Sequence, residues 1–442
     1  MSLQPWKQNP SFWQYNGKPV LLLGGSVEDN LFQIDGLEAH LDTLAACGGN
    51  YVRCSMSARD EGNAWYFQKD PKTGLYDLEQ AEGPYWDRFE TFIQLTRERD
   101  IIVQIEVFDR FDFAREPWRD NPFNPRKNIN YDEAASGLAT QYPKHPGARE
   151  NPFFRSVPAL EDNPLLRRCQ ESFVDRLLSV TLGQPHVLYC ISNETNESPE
   201  WGKYWAEYIQ SVAEKRNRTV QVTEMWDAHD LDDRQHRFTW EHPETYAFVD
   251  VSQVNHQTGQ AHWDQLMAFR ETIATTGHQR PLNSVKVYGA NSGYYGTTRD
   301  GQERFWRNVF AGLAGVRFHR PASGLGLSHI ARANIRAARM LASKIDLFAC
   351  KPNAARLLER SRNEAYCTGI RDQAYAVYFP DGGNVLLQAE STLSHVVARV
   401  QWLDIRLTLW HEPVPANFDA EGRLRLKTPV EEGYWACVVE VT

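Results

Sequence analysis

A parallel (β/α)8 barrel followed by a small antiparallel β-domain is the fold this 442-residue sequence predicts. Three observations predict it. Between residues 19 and 320, short runs apolar on both faces alternate with longer segments of helical periodicity, the pattern of repeated βα units. Beyond residue 355 come shorter β-like runs with hairpin signals at Asp381-Gly382-Gly383 and Glu421-Gly422. The length exceeds what one hydrophobic core usually serves, so a large and a small domain are expected.

The eight strands are read at 20–23, 51–55, 101–107, 187–192, 220–223, 249–254, 282–287 and 316–318. Strands covered on both sides, and eight of them, favour closure into a barrel over an open sheet. The first helix, 36–46, aligns Leu37, Leu41 and Leu44 and stops at Gly48-Gly49, where glycine takes the left-handed cap conformation. The second, 86–99, aligns Phe89, Phe92, Ile93 and Thr96; amphipathic helices also fit 165–182, 201–216, 262–275 and 302–314. The polar segment 113–162 is too long for an ordinary connection and is expected to form an elaborate loop over the barrel mouth. A helix at 330–348 leads to β-like runs at 374–379, 385–388, 396–400, 407–410 and 435–441. The division expected is a barrel over residues 1–355 and a β-sandwich-like domain over 356–442, which buttresses the barrel in preference to binding sugar.

Composition narrows the function. Apolar residues at 42% and charged residues at 24% are ordinary for a globular chain, and a net charge of −9 argues against a nucleic-acid partner. Aromatics reach 12%, rings that fill cores and also stack on sugars. The seven cysteines are odd in number and lack metal-ligand spacing, so neither a disulfide framework, a zinc site nor any cofactor is expected. No apolar run is long enough to span a membrane. The chain as given reads as cytoplasmic, or as secreted or periplasmic if Met1-Ser2-Leu3 replaces a signal peptide.

Reactive groups of a barrel belong at the C-terminal ends of its strands. The clearest candidate is Glu194, which with Asn193 ends the buried run 187–192. Apolar surroundings there would raise its pKa and let it protonate a departing glycosidic oxygen, with Asn193 holding a sugar hydroxyl. The plain alternative is a solvated loop glutamate.

The Asn193-Glu194 pair resembles the fourth-strand motif of the large glycoside hydrolase clan of retaining (β/α)8 enzymes, which implies that Glu194 is the acid/base. The run Gly49-Asn50-Tyr51-Val52-Arg53 resembles that clan's second strand, implying that Arg53 supports the nucleophile. Asn255-His256 is similar to its sugar-contacting position, implying substrate binding by His256. On the residues alone, Arg53 equally fits a loop ion pair and His256 a satisfied loop histidine. Asn16-Gly17-Lys18-Pro19, and Phe305-Trp306 through Ala311-Gly312-Leu313-Ala314-Gly315, look like bacterial apiosidase-type families within the clan. The resemblance covers most of residues 10–320.

One departure bears on mechanism. The clan's nucleophile is a glutamate ending strand seven, but the matching run Leu282-Asn283-Ser284-Val285-Lys286-Val287-Tyr288 has no carboxylate. A retaining mechanism needs two carboxyl groups about 5 Å apart and an inverting one about 6.5–9.5 Å. Glu224 is the first substitute, with Glu106 and Asp109 behind it; each equally fits an ion pair with a nearby cation. Lys286 and His319 point at the mouth if the register holds, where they would bind an acidic sugar such as a uronate or merely neutralise neighbouring acids.

Three readings follow. The first is a glycoside hydrolase acting on an oligosaccharide or polysaccharide. The second is a catalytically silent carbohydrate-binding protein, motivated by the missing strand-seven glutamate. The third is an enzyme of another class, such as an aldolase using Lys286 as a Schiff-base amine.

Overall fold

A computed structural model describes residues 2–81, 83–291, 296–389 and 393–442. Eight parallel strands form the main sheet: β1 Leu22–Gly25, β2 Tyr51–Ser55, β3 Ile102–Asp109, β4 Val187–Asn193, β5 Val222–Thr223, β6 Val249–Asp250, β7 Leu282–Val287 and β8 Gly315–Phe318. Neighbours run in the order β5-β4-β3-β2-β1-β8-β7-β6. The seam between β5 and β6 is bridged by Ala247 N–H donating to Val222 O at 3.0 Å and by Thr223 Oγ1 donating to Phe248 O at 2.7 Å. The sheet is thus a (β/α)8 barrel with antiparallel sheets following it, as the alternation of apolar runs predicts. Among the described residues no helix is long and apolar enough to cross a membrane.

The connecting helices are α1 Leu37–Ala46, α2 Gly83–Glu98, α3 Pro164–Thr181, α4 Pro199–Lys215, α5 Arg234–Glu241, α6 Gly259–Thr275, α7 Thr298–Phe310 and α8 His329–Ala342. The sequence reading has no α5, because its buried positions are His236 and Thr239 and it leaves no apolar stripe to detect. The expected strand at 249–254 stops at Asp250. The Asp250 carboxylate accepts the Ser252 N–H at 2.9 Å, and the chain turns into a 3-10 segment, Ser252–His256.

The N-terminal end of the barrel is closed by a three-stranded antiparallel sheet, Gln4–Trp6, Asn9–Tyr15 and Lys18–Val20. Its Trp13 is fully buried, packs edge-on against Phe248 at 5.2 Å and donates its indole N–H to Asn283 Oδ1 at 3.0 Å. Leu3, Phe12, Trp13, Leu22, Ile102, Leu188 and Val285 make this floor apolar. Gly24 on β1 is required by its neighbour: a Cβ there would lie 1.7 Å from Tyr51 O.

The segment between β3 and α3 is ordered by its own core, consisting of Phe113, Trp118, Phe123, Phe153 and Phe154. Asparagine side chains satisfy its irregular backbone, Asn124 and Asn128 each donating to two carbonyls. It reaches the mouth through Asn196 Nδ2, which donates to Gly147 O at 2.8 Å.

After α8 the strands Tyr366–Ile370, Ala374–Phe379, Trp435–Val441 and Val397–Asp404 pair antiparallel in that order. Leu357–Leu358, Asn384–Gln388 and Arg423–Lys427 form a second antiparallel sheet. One apolar cluster, including Tyr375, Val377, Val385, Leu387, Leu424 and Val439, draws on both sheets. Tyr378 stacks on Trp306 of α7 at 5.5 Å, tying this region to the barrel wall.

Candidate active site at the barrel mouth

Above the apolar floor the barrel interior becomes polar. Tyr51 and Asn283 lead to Gln104, which donates to Asp250 Oδ2 at 3.3 Å. One layer higher, the fully buried Arg53 pairs with both Glu106 and Asp29. Burial pushes the Glu106 carboxyl up, against the pull of Arg53. Arg53 thus holds the carboxylates of Glu106 and Asp29.

At the top, β4 delivers Asn193 and Glu194. Glu194 adopts φ 48°, left-handed backbone that costs a non-glycine residue about 1–2 kcal/mol. Its carboxylate, 18% exposed, meets Lys286 Nζ at 2.7 Å and accepts the Tyr288 hydroxyl at 2.9 Å, both on Oε1. Lys286, only 2% exposed, also donates to Asn193 Oδ1. Asn193 Nδ2 in turn donates to Asp109 Oδ2 at 3.0 Å. Asp109 is held further by Ser55 at 3.1 Å and Arg59 at 2.6 Å. The ends of β3, β4 and β7 are thus one hydrogen-bonded circuit.

The charge state differs from the expectation of a raised pKa at Glu194. Burial does act to raise it, but the Lys286 ammonium, helped by Arg110 and the Tyr288 hydroxyl, outweighs burial and holds the carboxyl well below the usual range. Asp109 is likewise pulled down, with Arg59 overcoming burial. Unliganded, Glu194 is an ionised carboxylate.

His256 and His319 are neutral at pH 7. Burial, then the neighbouring His229, lower His256 to about 4; the two rings stack at 3.6 Å and 13°, and His256 bonds Gln253 Oε1 at 3.0 Å. His256 lies edge-on to Tyr288 at 5.0 Å and so borders the Glu194 group. Burial drives His319 far below its ordinary value, and it sits 3.6 Å from Asp29. Any contact His319 makes with an acidic sugar is therefore that of a neutral imidazole. Lys286 does neutralise an acid, and that acid is Glu194.

The Glu224 carboxyl bonds Ser192 and Met225 and not Glu194. Its Oε1 accepts the backbone N–H groups of Ser192 at 2.8 Å and Met225 at 3.1 Å, and it faces α4, where a Cβ on Gly202 would lie 2.2 Å from Oε2. Burial pushes its pKa up to about 8, that of a neutral carboxyl wedged between sheet and helix.

Several contributors lie outside the sequence-derived candidates, among them Tyr288, Arg110 and Asp227. Tyr288 stands two residues beyond Lys286, and its place at the end of an apolar run was the available signal. Arg110 joins Asn196 at 2.9 Å to Asp227 at 2.8 Å, and Asp227 is 37% exposed beside Thr195, whose carbonyl accepts its N–H. Both sit in loops, where spacing carries no pattern.

Neither a protein-family model nor a curated protein sequence matches the chain. Solved structures do resemble it. A glycoside hydrolase family 5 structure from Bacteroides vulgatus ATCC 8482 aligns over 99% of this chain and 93% of its own, with TM-score 0.66 and 12% identity. A second glycoside hydrolase aligns over 99% and 96%, with TM-score 0.67 and 10% identity. A γ-CGTase from alkalophilic Bacillus clarkii aligns over 96% and 70%, with TM-score 0.56 and 10% identity. At such identities the likeness establishes the architecture, a (β/α)8 barrel of the kind found in glycoside hydrolase family 5.

Proposed function

We propose that the barrel mouth is a glycan site and that the chain hydrolyses glycosidic bonds, with Glu194 as the carboxyl that transfers the proton. The observation that carries this reading is the placement of Glu194: at the β4 end, partly exposed, on left-handed backbone, and held by Tyr288 and by Lys286, which is itself bonded to Asn193. The Asn193-Glu194 motif and the glycoside hydrolase architecture of similar structures support it. The likeness to apiosidase-type families rests on two sequence stretches and brings apiosides into the glycan panel.

For the second acidic group we propose Asp227 over Glu224. Asp227 is exposed and shares the Arg110 environment with Glu194, whereas Glu224 is committed to backbone donors. Asn193 and His256 then position the sugar, and Arg53 braces the carboxylate layer beneath. Residues 1–355 are assigned to the hydrolytic barrel and 356–442 to a buttress.

One observation favours a second reading, a carbohydrate-binding protein without turnover. An ammonium, Lys286, stands at the strand-seven end and keeps Glu194 ionised. Incubation with a panel of glycans and reducing-end analysis separates the two. Hydrolysis that Glu194→Gln abolishes upholds the first; glycan binding with no products upholds the second.

A further inference from the structure

We propose that the sugar unit bound beside Glu194 carries a carboxylate, and that this carboxylate takes Lys286 from Glu194 as it binds. The inference rests on reading the mouth as a glycan site and names the substrate class.

The geometry has two parts. First, the Lys286 ammonium has three N–H bonds, and its contacts among the described residues are Asn193 Oδ1 and Glu194 Oε1, so it can take on a further acceptor. Second, the groups acting most strongly on Glu194 are cationic or neutral: Lys286, Arg110 and Tyr288. His256, held neutral, borders the pair through Tyr288, and Asp109 reaches it only through Asn193 and Lys286. A ligand entering here meets a buried ammonium whose counter-charge is the proton-transferring carboxylate itself.

A neutral sugar leaves that pair closed, and Glu194 has no proton to give. A uronate supplies Lys286 with a replacement anion and sets a second negative charge beside Glu194. With Lys286 shared and a second negative charge alongside, burial favours the protonated form of Glu194 against a weaker opposition, chiefly Arg110 and Tyr288, and Glu194 takes a proton from solvent. As the bond from the anomeric carbon to the glycosidic oxygen breaks, that proton passes to the departing oxygen. Water adds to the anomeric carbon and loses its proton to the second carboxylate, Asp227. The acidic substrate thereby arms the acid that cleaves it, which gives the ammonium at the strand-seven end a function.

Calorimetric titration of the full-length Glu194→Gln protein at pH 7 tests this without turnover. The probes are trisaccharides of D-galacturonate, D-glucuronate and D-mannuronate, each against its own methyl ester. At least one acid is expected to bind about tenfold or more tightly than its ester, because a charge-assisted contact is lost on esterification. The same acid should bind Glu194→Gln more tightly than the native protein, since the competing carboxylate is gone. Adding Lys286→Gln should remove the preference for acid over ester, with thermal unfolding confirming a folded variant. Esters binding as tightly as the acids, or no acid binding, overturns the proposal. Turnover of neutral glycans with no acid preference would overturn it while upholding the hydrolase, and acid binding without hydrolysis would do the reverse.

Discussion

The floor and the mouth of the barrel are built from the same eight strands and obey opposite rules. At the floor, Trp13, Leu22, Ile102, Leu188 and Val285 bury apolar surface, and the lone indole N–H finds Asn283. At the mouth, Arg53, Glu106, Asp109 and Lys286 are equally shielded from water but bring charge, which is stable only in pairs. The contrast assigns stability to one end and chemistry to the other, and it is open to direct tests.

The largest effect expected is at the mouth. Glu194→Gln should lower turnover of any cleaved glycan by about 10³-fold, within the range for loss of a general acid, with no change in circular dichroism. At the floor, Trp13→Ala should cost about 3–5 kcal/mol in urea unfolding, while the fraction still folded keeps its turnover number. If Trp13→Ala instead changed turnover per folded molecule, the division between the two ends would fail.

Glu224 offers an intermediate case, a buried carboxyl near the mouth but outside its circuit. Its folded pKa, pushed up to about 8, lies above the ordinary 4.5, so between these values the native state holds a proton that the unfolded chain releases. Stability contributed below pH 4.5 is therefore lost as pH rises through 8. Glu224→Gln, which mimics the protonated form, should flatten that decline in melting temperature between pH 5 and 8 without impairing turnover. A smaller effect is expected for Tyr288→Phe, which removes one donor to Glu194: about tenfold in kcat, with unfolding within about 1 kcal/mol of the native protein.

Much of the barrel was legible in the sequence because buried parallel strands read as apolar runs, and β2, β4 and β7 lie where those runs do. The region after α8 was read less fully. Arg423–Lys427 alternates arginine or lysine with leucine, a period-two signal, but Tyr366–Ile370 is short and carries Cys367 and Gly369. Glu194 could be found because it follows a strand directly. Its bond to Lys286 joins residues far apart in sequence, which spacing cannot reveal. The partners of Glu224 were not legible because β5 is only two residues long, too short to tell which way the next side chain turns.

The Glu194–Lys286 pair is the point on which the rest turns. Carbon-13 NMR titration of glutamate side-chain carboxyls, with Glu194 assigned by its absence in Glu194→Gln, measures it directly. In the ligand-free protein the Glu194 resonance should remain that of a carboxylate well below pH 4, and a bound uronate should move its midpoint upward. A ligand-free midpoint at or above the ordinary glutamate value would contradict the pairing.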